Sequence, residues 1–260
     1  MLRLIFLAQL LMTLLYLGKF GLVIILVTFF ALMILYLWTT RKFLRKNQNL
    51  LSFEEMPWLY DGIVRMANKA GIATPDIYIL DDYIPNAYSF GNSIVLSLGL
   101  FEVLDEDGIL AVTAHEIGHI KNRDTVIFPL VSYIRYLMIP MVVLNALFSK
   151  SLMVALASVM LYILYEVERI HYLRKREFKA DDTALRLVSR PLSLKEALEE
   201  LRYYEDLRIN VKVSEVPSIE PGIERKYHNP IFATHPSYDE RIWRIMAEVD
   251  IMTLNERIFN

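Results

Sequence analysis

Apolar residues in this chain fall into four blocks divided by charged or turn-forming residues. The first 40 residues contain no acidic side chain, and Arg3 and Lys19 are their only charges. Apolar runs over residues 4–17 and 20–38 are joined by Gly18-Lys19. The second run, about 19 residues at 1.5 Å each, nearly crosses the ~30 Å hydrocarbon core of a bilayer. The first is shorter and reaches the interfaces through Arg3 and Lys19, whose stems lie along lipid while their charges stay in water. Arg3 and the run behind it also have the look of a signal peptide. No small-x-small cleavage site follows, however, and a second apolar run comes at once, so an uncleaved transmembrane hairpin over residues 1–40 is expected.

A second apolar pair lies mid-chain. Residues 126–148 carry one charge, Arg135, and residues 152–165 carry none, with Ser149-Lys150-Ser151 between them. Arg135 is costly in lipid unless it faces protein, water or headgroups. The latter run, about 14 residues, is short for a full span. Residues 125–165 are therefore expected to form a second hairpin, transmembrane or re-entrant. Arg41, Lys42, Arg45 and Lys46 follow the second run, and Arg169, Arg174, Lys175 and Arg176 follow the fourth. Because cytoplasmic loops carry the excess of Lys and Arg, both termini and the polar sequence, residues 41–124 and 166–260, are expected in the cytoplasm.

Within the polar part, residues 57–70 place Trp58, Ile63, Met66 and Ala70 on one helical face, with Gly71 as the cap. Residues 76–80 (DIYIL) read as a buried strand and 84–90 (IPNAYSF) as an extended piece. Gly91-Asn92 forms a turn, and 93–98 (SIVLSL) alternates as a strand. Asp105, Glu106 and Asp107 then crowd the first turn of another helix, where the helix dipole favours acids. The expected fold class is α+β and mostly helical: multi-pass membrane helices plus a domain with a small β-sheet.

Composition narrows the chemistry. The 260 residues are 55% hydrophobic with a mean hydropathy of +0.33, too apolar for disorder or an ordinary soluble domain. A net charge of −2 provides no basic field for nucleic acid, which is not expected as a partner. With no cysteine, disulfides, thiolate metal sites and cysteine nucleophiles are excluded, and any metal must be held by His, Asp or Glu.

Residues 109–121 (ILAVTAHEIGHIK) hold His115, Glu116 and His119. Two histidines four apart on a helix lie one turn apart on one face, so both imidazoles can reach one zinc ion. Glu116 is placed to take a proton from water that the metal acidifies. The apolar flanks make this a buried helix, and buried histidines need partners or a metal. The third ligand must be a carboxylate or one of His171, His228 and His235. Residues 174–185 (RKREFKADDTAL) offer Glu177, Ala180 and Asp181 on one helical face; an acid one turn beyond a ligating glutamate can hold the free N–H of a ligating histidine.

HEIGH followed by Asn122 and Asp124, two apolar runs and then Glu-x-x-Ala-Asp resembles the HtpX-type membrane zinc endopeptidases, gluzincins related to the CAAX prenyl-protein proteases. Pro85-Asn86-Ala87, the strand SIVLSLGL, and Thr234-His235-Pro236 with Arg241 match in the family's order, so the resemblance covers nearly the whole chain. It implies a gluzincin-like domain with one Zn2+ per chain, held by His115, His119 and Glu177, with Glu116 as catalytic base. It further implies that Asp181 orients His115 and that His235 stabilises the oxyanion or positions substrate, with Arg241 near it. The family usually has His-Pro-Pro where this chain has Ser237. Proteases of this type hold an extended peptide as an added strand. The strand leading into the zinc helix, with Ser93, Val95 and Ser97, is the expected edge, and Asn86 is expected to bond the substrate backbone. The implied partners are polypeptides, above all misfolded or damaged membrane proteins, and the lipid bilayer. No residue pattern speaks to an oligomeric state. A prenyl-protein processing protease, or a non-catalytic zinc-binding scaffold, are the other readings; the latter requires a fourth protein ligand.

Overall fold

The computed structural model describes residues 1–44, 48–213 and 235–259. Arg45, Lys46, His228 and Thr234 lie outside the described residues. The chain divides into two units, Met1–Lys46 with Val126–Leu173, and Asn47–Thr125 with Arg174–Asn260.

The first unit begins with α1 (Leu2–Leu44), interrupted at Gly18, whose φ of 51° and ψ of −135° are not helical. That conformation is open to glycine and strained for other residues. The chain reverses there. A Cβ built on Gly21 would lie 3.4 Å from Thr13 Cγ2, eight residues back, a separation a straight helix would stretch to about 12 Å. α5 (Asp124–Phe148) and α6 (Leu152–Leu187) follow a turn with Lys150 at φ 53°. Four fully buried polar residues link these segments. Gln9 Nε2 donates to Ser158 Oγ (2.5 Å), and Asn145 Nδ2 donates to Thr13 Oγ1 (3.0 Å) and to Ser158 Oγ (3.2 Å). Among the described residues, the stretches Leu2–Leu35 and Asp124–Phe148 are long and apolar enough to cross a membrane. α6 has no Gly or Pro to stop it, so the apolar run at 152–165 and the polar stretch at 174–185 form one continuous helix.

The second unit holds β1 (Gln48–Leu50), α2 (Pro57–Ala70), β2 (Asp76–Leu80), β3 (Ala87–Phe90), β4 (Ser93–Ser97), α3 (Leu98–Val103) and α4 (Glu106–Lys121). It continues with the end of α6, α7 (Leu192–Val213) and α8 (Tyr238–Phe259). The sheet order is β1-β2-β4-β3; β4 runs parallel to β2 and antiparallel to β3. This corrects the expectation that Ser93, Val95 and Ser97 lie on an edge. β4 is paired on both sides and all five of its residues are buried, so its backbone has no free row of donors and acceptors for a peptide. The edge beside it is β3. Leu59, Ile63, Ile94, Leu96, Ile117 and Leu194 are among the residues that close the core between sheet and helices.

Candidate metal centre and active site

α4 starts where Asp105 accepts a hydrogen bond from the Gly108 N–H (2.8 Å), with Glu106 and Asp107 in its first turn. From Gly108 to His119 nearly every residue is buried. His115 Nε2 and His119 Nε2 are 3.1 Å apart on one face. Glu177, from α6, reaches both: its Oε2 lies 3.6 Å from His115 Nε2 and its Oε1 3.6 Å from His119 Nε2. α6 comes this close because Gly118 has no side chain: a Cβ there would meet the Ala180 carbonyl oxygen at 2.9 Å and the Ala180 Cα at 3.0 Å.

Each histidine is gripped on its other ring nitrogen. His115 Nδ1 is 2.8 Å from Asp181 Oδ1, and Arg241 from α8 donates to both oxygens of that carboxylate, Nη2 to Oδ1 at 2.6 Å and Nε to Oδ2 at 2.9 Å. His119 Nδ1 is 2.9 Å from Asp124 Oδ2, and Arg176 donates to Asp124 Oδ1 and to the Asn122 carbonyl. Asp124 is fully buried. Neither Asp124 nor Arg176 was given a role from sequence. The His–Asp spacing of five residues spans the end of α4 and the turn at Arg123 (φ 61°), so only the folded turn points the carboxylate back at the ring.

Charges in the site balance against burial. Burial and the Arg241 guanidinium push the His115 pKa down, but Asp181 and Glu177 outweigh them and raise it to about 9. Burial would raise Glu177, yet hydrogen bonds from His115 and His235, with the imidazole charges, hold it well below the usual carboxylate range. Asp181 is likewise lowered, the effects of Arg241 and His115 exceeding that of burial.

His235 is exposed at the rim, its Nδ1 3.4 Å from Glu177 Oε1. Ser237, two residues on, accepts the Glu240 N–H (3.2 Å), a capping bond at the start of α8 that a proline could not supply. Glu116 is buried, and no hydrogen bond ties its carboxylate to another described residue. Asn86 is exposed beside β3, its N–H bound to Ser97 Oγ (2.8 Å). His171 is exposed and does not belong to this group of ligands.

His115, His119 and Glu177 offer two imidazole nitrogens and a carboxylate oxygen within 4.8 Å of one another, the one such group among the described residues. Tetrahedral ligands at about 2.0–2.1 Å from one ion stand about 3.3 Å apart, so separations of 3.1 and 3.6 Å fit a metal without rearrangement.

Residues 54–249 match the family model for peptidase family M48. The chain is 28% identical to a "Protease HtpX homolog" of Sulfurihydrogenibium sp., over 75% of each chain. It is 31% identical to one of Persephonella marina, over 75% of this chain and 76% of the relative, and 30% identical to one of Pyrococcus abyssi, over 76% of each. Among solved structures, Ste24p of S. mikatae has the same fold with a TM-score of 0.54 at 21% identity, matching 93% of this chain and 61% of its own. With its family model spanning three quarters of the sequence and its two histidines and glutamate converging on one point, the chain belongs to peptidase family M48 and is a metalloprotease.

Proposed function

We propose that this protein is a zinc endopeptidase that cuts misfolded or damaged membrane proteins from the cytoplasmic side of a cell membrane. The observation that supports this most directly is the convergence of His115 Nε2, His119 Nε2 and Glu177 in a buried pocket with no fourth protein ligand among the described residues, the open arrangement of a catalytic rather than a structural site. A bound zinc ion supplies Lewis acidity, acidifying water and polarising the scissile carbonyl. Asp181 and Asp124 hold the two imidazoles with Nε2 facing inward, and Arg241 and Arg176 hold those carboxylates. Glu116 takes the proton from the attacking water onto its carboxylate and passes it to the leaving amine. His235, at the rim, donates to the developing oxyanion or positions substrate, and Asn86 holds substrate backbone beside the β3 edge.

The test is hydrolysis of unfolded casein by the detergent-purified, zinc-loaded protein, beside Glu116→Gln. The variant is expected to bind zinc normally and to lose a factor on the order of 10²–10⁴ in rate. Equal cutting by both proteins would remove Glu116 from the mechanism.

A further inference from the structure

The apolar unit contains an ion cluster that the peptidase site does not use. Arg135 on α5 lies with its Nε 3.2 Å from Glu166 Oε1 on α6, close enough for attraction but out of line for a hydrogen bond. Arg169, one turn beyond Glu166, donates from Nη2 to Glu166 Oε2 at 2.9 Å. Among the described residues these two guanidiniums share one carboxylate; Arg135 is also held by a hydrogen bond with Tyr162 and lies over the Tyr136 ring, but neither neutral phenol supplies a second counter-charge. Among the described residues, the Nε–H groups of Arg135 and Arg169 are buried without a hydrogen-bond acceptor. Arg169 is only 6% exposed, whereas the Arg135 side chain is 37% exposed.

A buried guanidinium with a free N–H and no full counter-charge is costly, most of all in an apolar setting, unless an anion completes it. On the same two helices, Ile139, Ile163 and Val167 are exposed and apolar, with Tyr136 exposed beside Arg135, a surface suited to contact with lipid. The apolar run of α6 ends at Tyr165, and charged residues begin at Glu166. The cluster therefore stands at the depth where α6 leaves hydrocarbon, which is the level of the phospholipid phosphates.

We propose that Arg135 and Arg169 form a binding site for the phosphodiester of an anionic membrane phospholipid, with Glu166 holding the two guanidiniums apart. Guanidinium forks match phosphate oxygens, and a site with one surplus positive charge favours a headgroup with net negative charge over a zwitterionic one. The proposal depends on the membrane location of this unit and not on the peptidase chemistry.

The experiment is native mass spectrometry of the full-length protein in detergent, titrated with phosphatidylglycerol, with phosphatidylcholine of the same chains, or with inorganic phosphate. Phosphatidylglycerol should be retained about tenfold more tightly than phosphatidylcholine, a difference of about 1.4 kcal/mol. Arg135→Gln and Arg169→Gln should each abolish that preference. Glu166→Gln should strengthen it, because a competing carboxylate is gone. If Arg169→Gln fails to fold, Arg135→Gln and Glu166→Gln, both at partly exposed positions, decide the matter with opposite expected signs. Equal retention of the two lipids, an unchanged Arg135→Gln, or weaker binding by Glu166→Gln would overturn the site. Displacement of the lipid by inorganic phosphate at similar concentration would overturn its assignment to a membrane lipid and make it a soluble-anion site.

Discussion

Each histidine of the metal site leans on an aspartate, and each aspartate on an arginine: His115–Asp181–Arg241 and His119–Asp124–Arg176. Such outer partners fix the tautomer and raise the basicity of a ligand, and losing one typically costs 10–100-fold in metal affinity. Asp124→Asn should lower zinc affinity in that range in a chelator competition, and an unchanged affinity would show that the turn alone holds His119. The same carboxylates give the metal-free protein a defined pH response. The His115 pKa is raised from 6.5 to about 9 in the folded site, so its contribution to stability is complete below about pH 6.5 and is lost as pH rises through about 9. Glu177 and Asp181 are lowered, so theirs is present above about pH 4.5 and is lost as pH falls. Melting temperatures in the presence of chelator should therefore decline from pH 6.5 towards pH 9, and a rise over that interval would contradict the charge arrangement. Sequence alone counts Arg169 and Arg176 as charges in water; folding turns both inward onto carboxylates, because long basic side chains reach partners that helical spacing does not reveal.

At the scale of elements, one helix does the work of two. α6 runs unbroken from Leu152 to Leu187, so Glu177 and Asp181 are presented on a helix and not on a loop. The contact between α6 and α4 depends on Gly118 against Ala180, and HEIGH read as a ligand motif hides that second role of its glycine. The sheet decides where a peptide can bind. Ser97 N–H donates to the Asn86 carbonyl (3.0 Å), so the bonded rungs between β3 and β4 fall at Asn86–Ser97, Tyr88–Val95 and Phe90–Ser93. The N–H and C=O of Ala87 and Ser89 consequently point away from β4, along the free edge. Ser89→Pro removes one of those donors without touching a rung to β4. It should raise KM for peptide substrates severalfold while leaving zinc affinity and the melting temperature nearly unchanged. A normal KM in a folded variant would move the substrate away from β3.

At the scale of the whole molecule, the absence of cysteine makes the orientation directly testable. Single cysteines introduced at exposed Lys19, in the loop of the first hairpin, and at exposed Asp239 should react with a membrane-impermeant maleimide in opposite ways, Lys19→Cys in intact cells and Asp239→Cys only after lysis. The reverse pattern would invert the proposed topology. The buried hydrogen bonds among Gln9, Thr13, Asn145 and Ser158 are a feature of the folded unit that hydropathy cannot reveal, since each residue alone reads as a minor polar interruption of an apolar run. In lipid, where apolar contact scarcely distinguishes a helix from its solvent, bonds of this kind are worth about 1 kcal/mol each and help define which helices meet.

What the sequence determined by itself was local: where the apolar runs lie, the helix carrying His115, Glu116 and His119, the strands at 76–80 and 93–98 (the latter ending one residue earlier, at Ser97, with α3 beginning at Leu98), and the left-handed cap at Gly71. Each follows from periodicity or from chemistry within a few residues. Strand order, the inward turn of Arg169 and Arg176, and the alignment of Asp124 with His119 were decided only by the tertiary structure. β4 is recognisable as a strand from its own residues, but whether its two sides are free depends on where β2 and β3 come to lie. Hydrogen-bond partners across a sheet or between helices are set by packing, and no spacing along the chain encodes them.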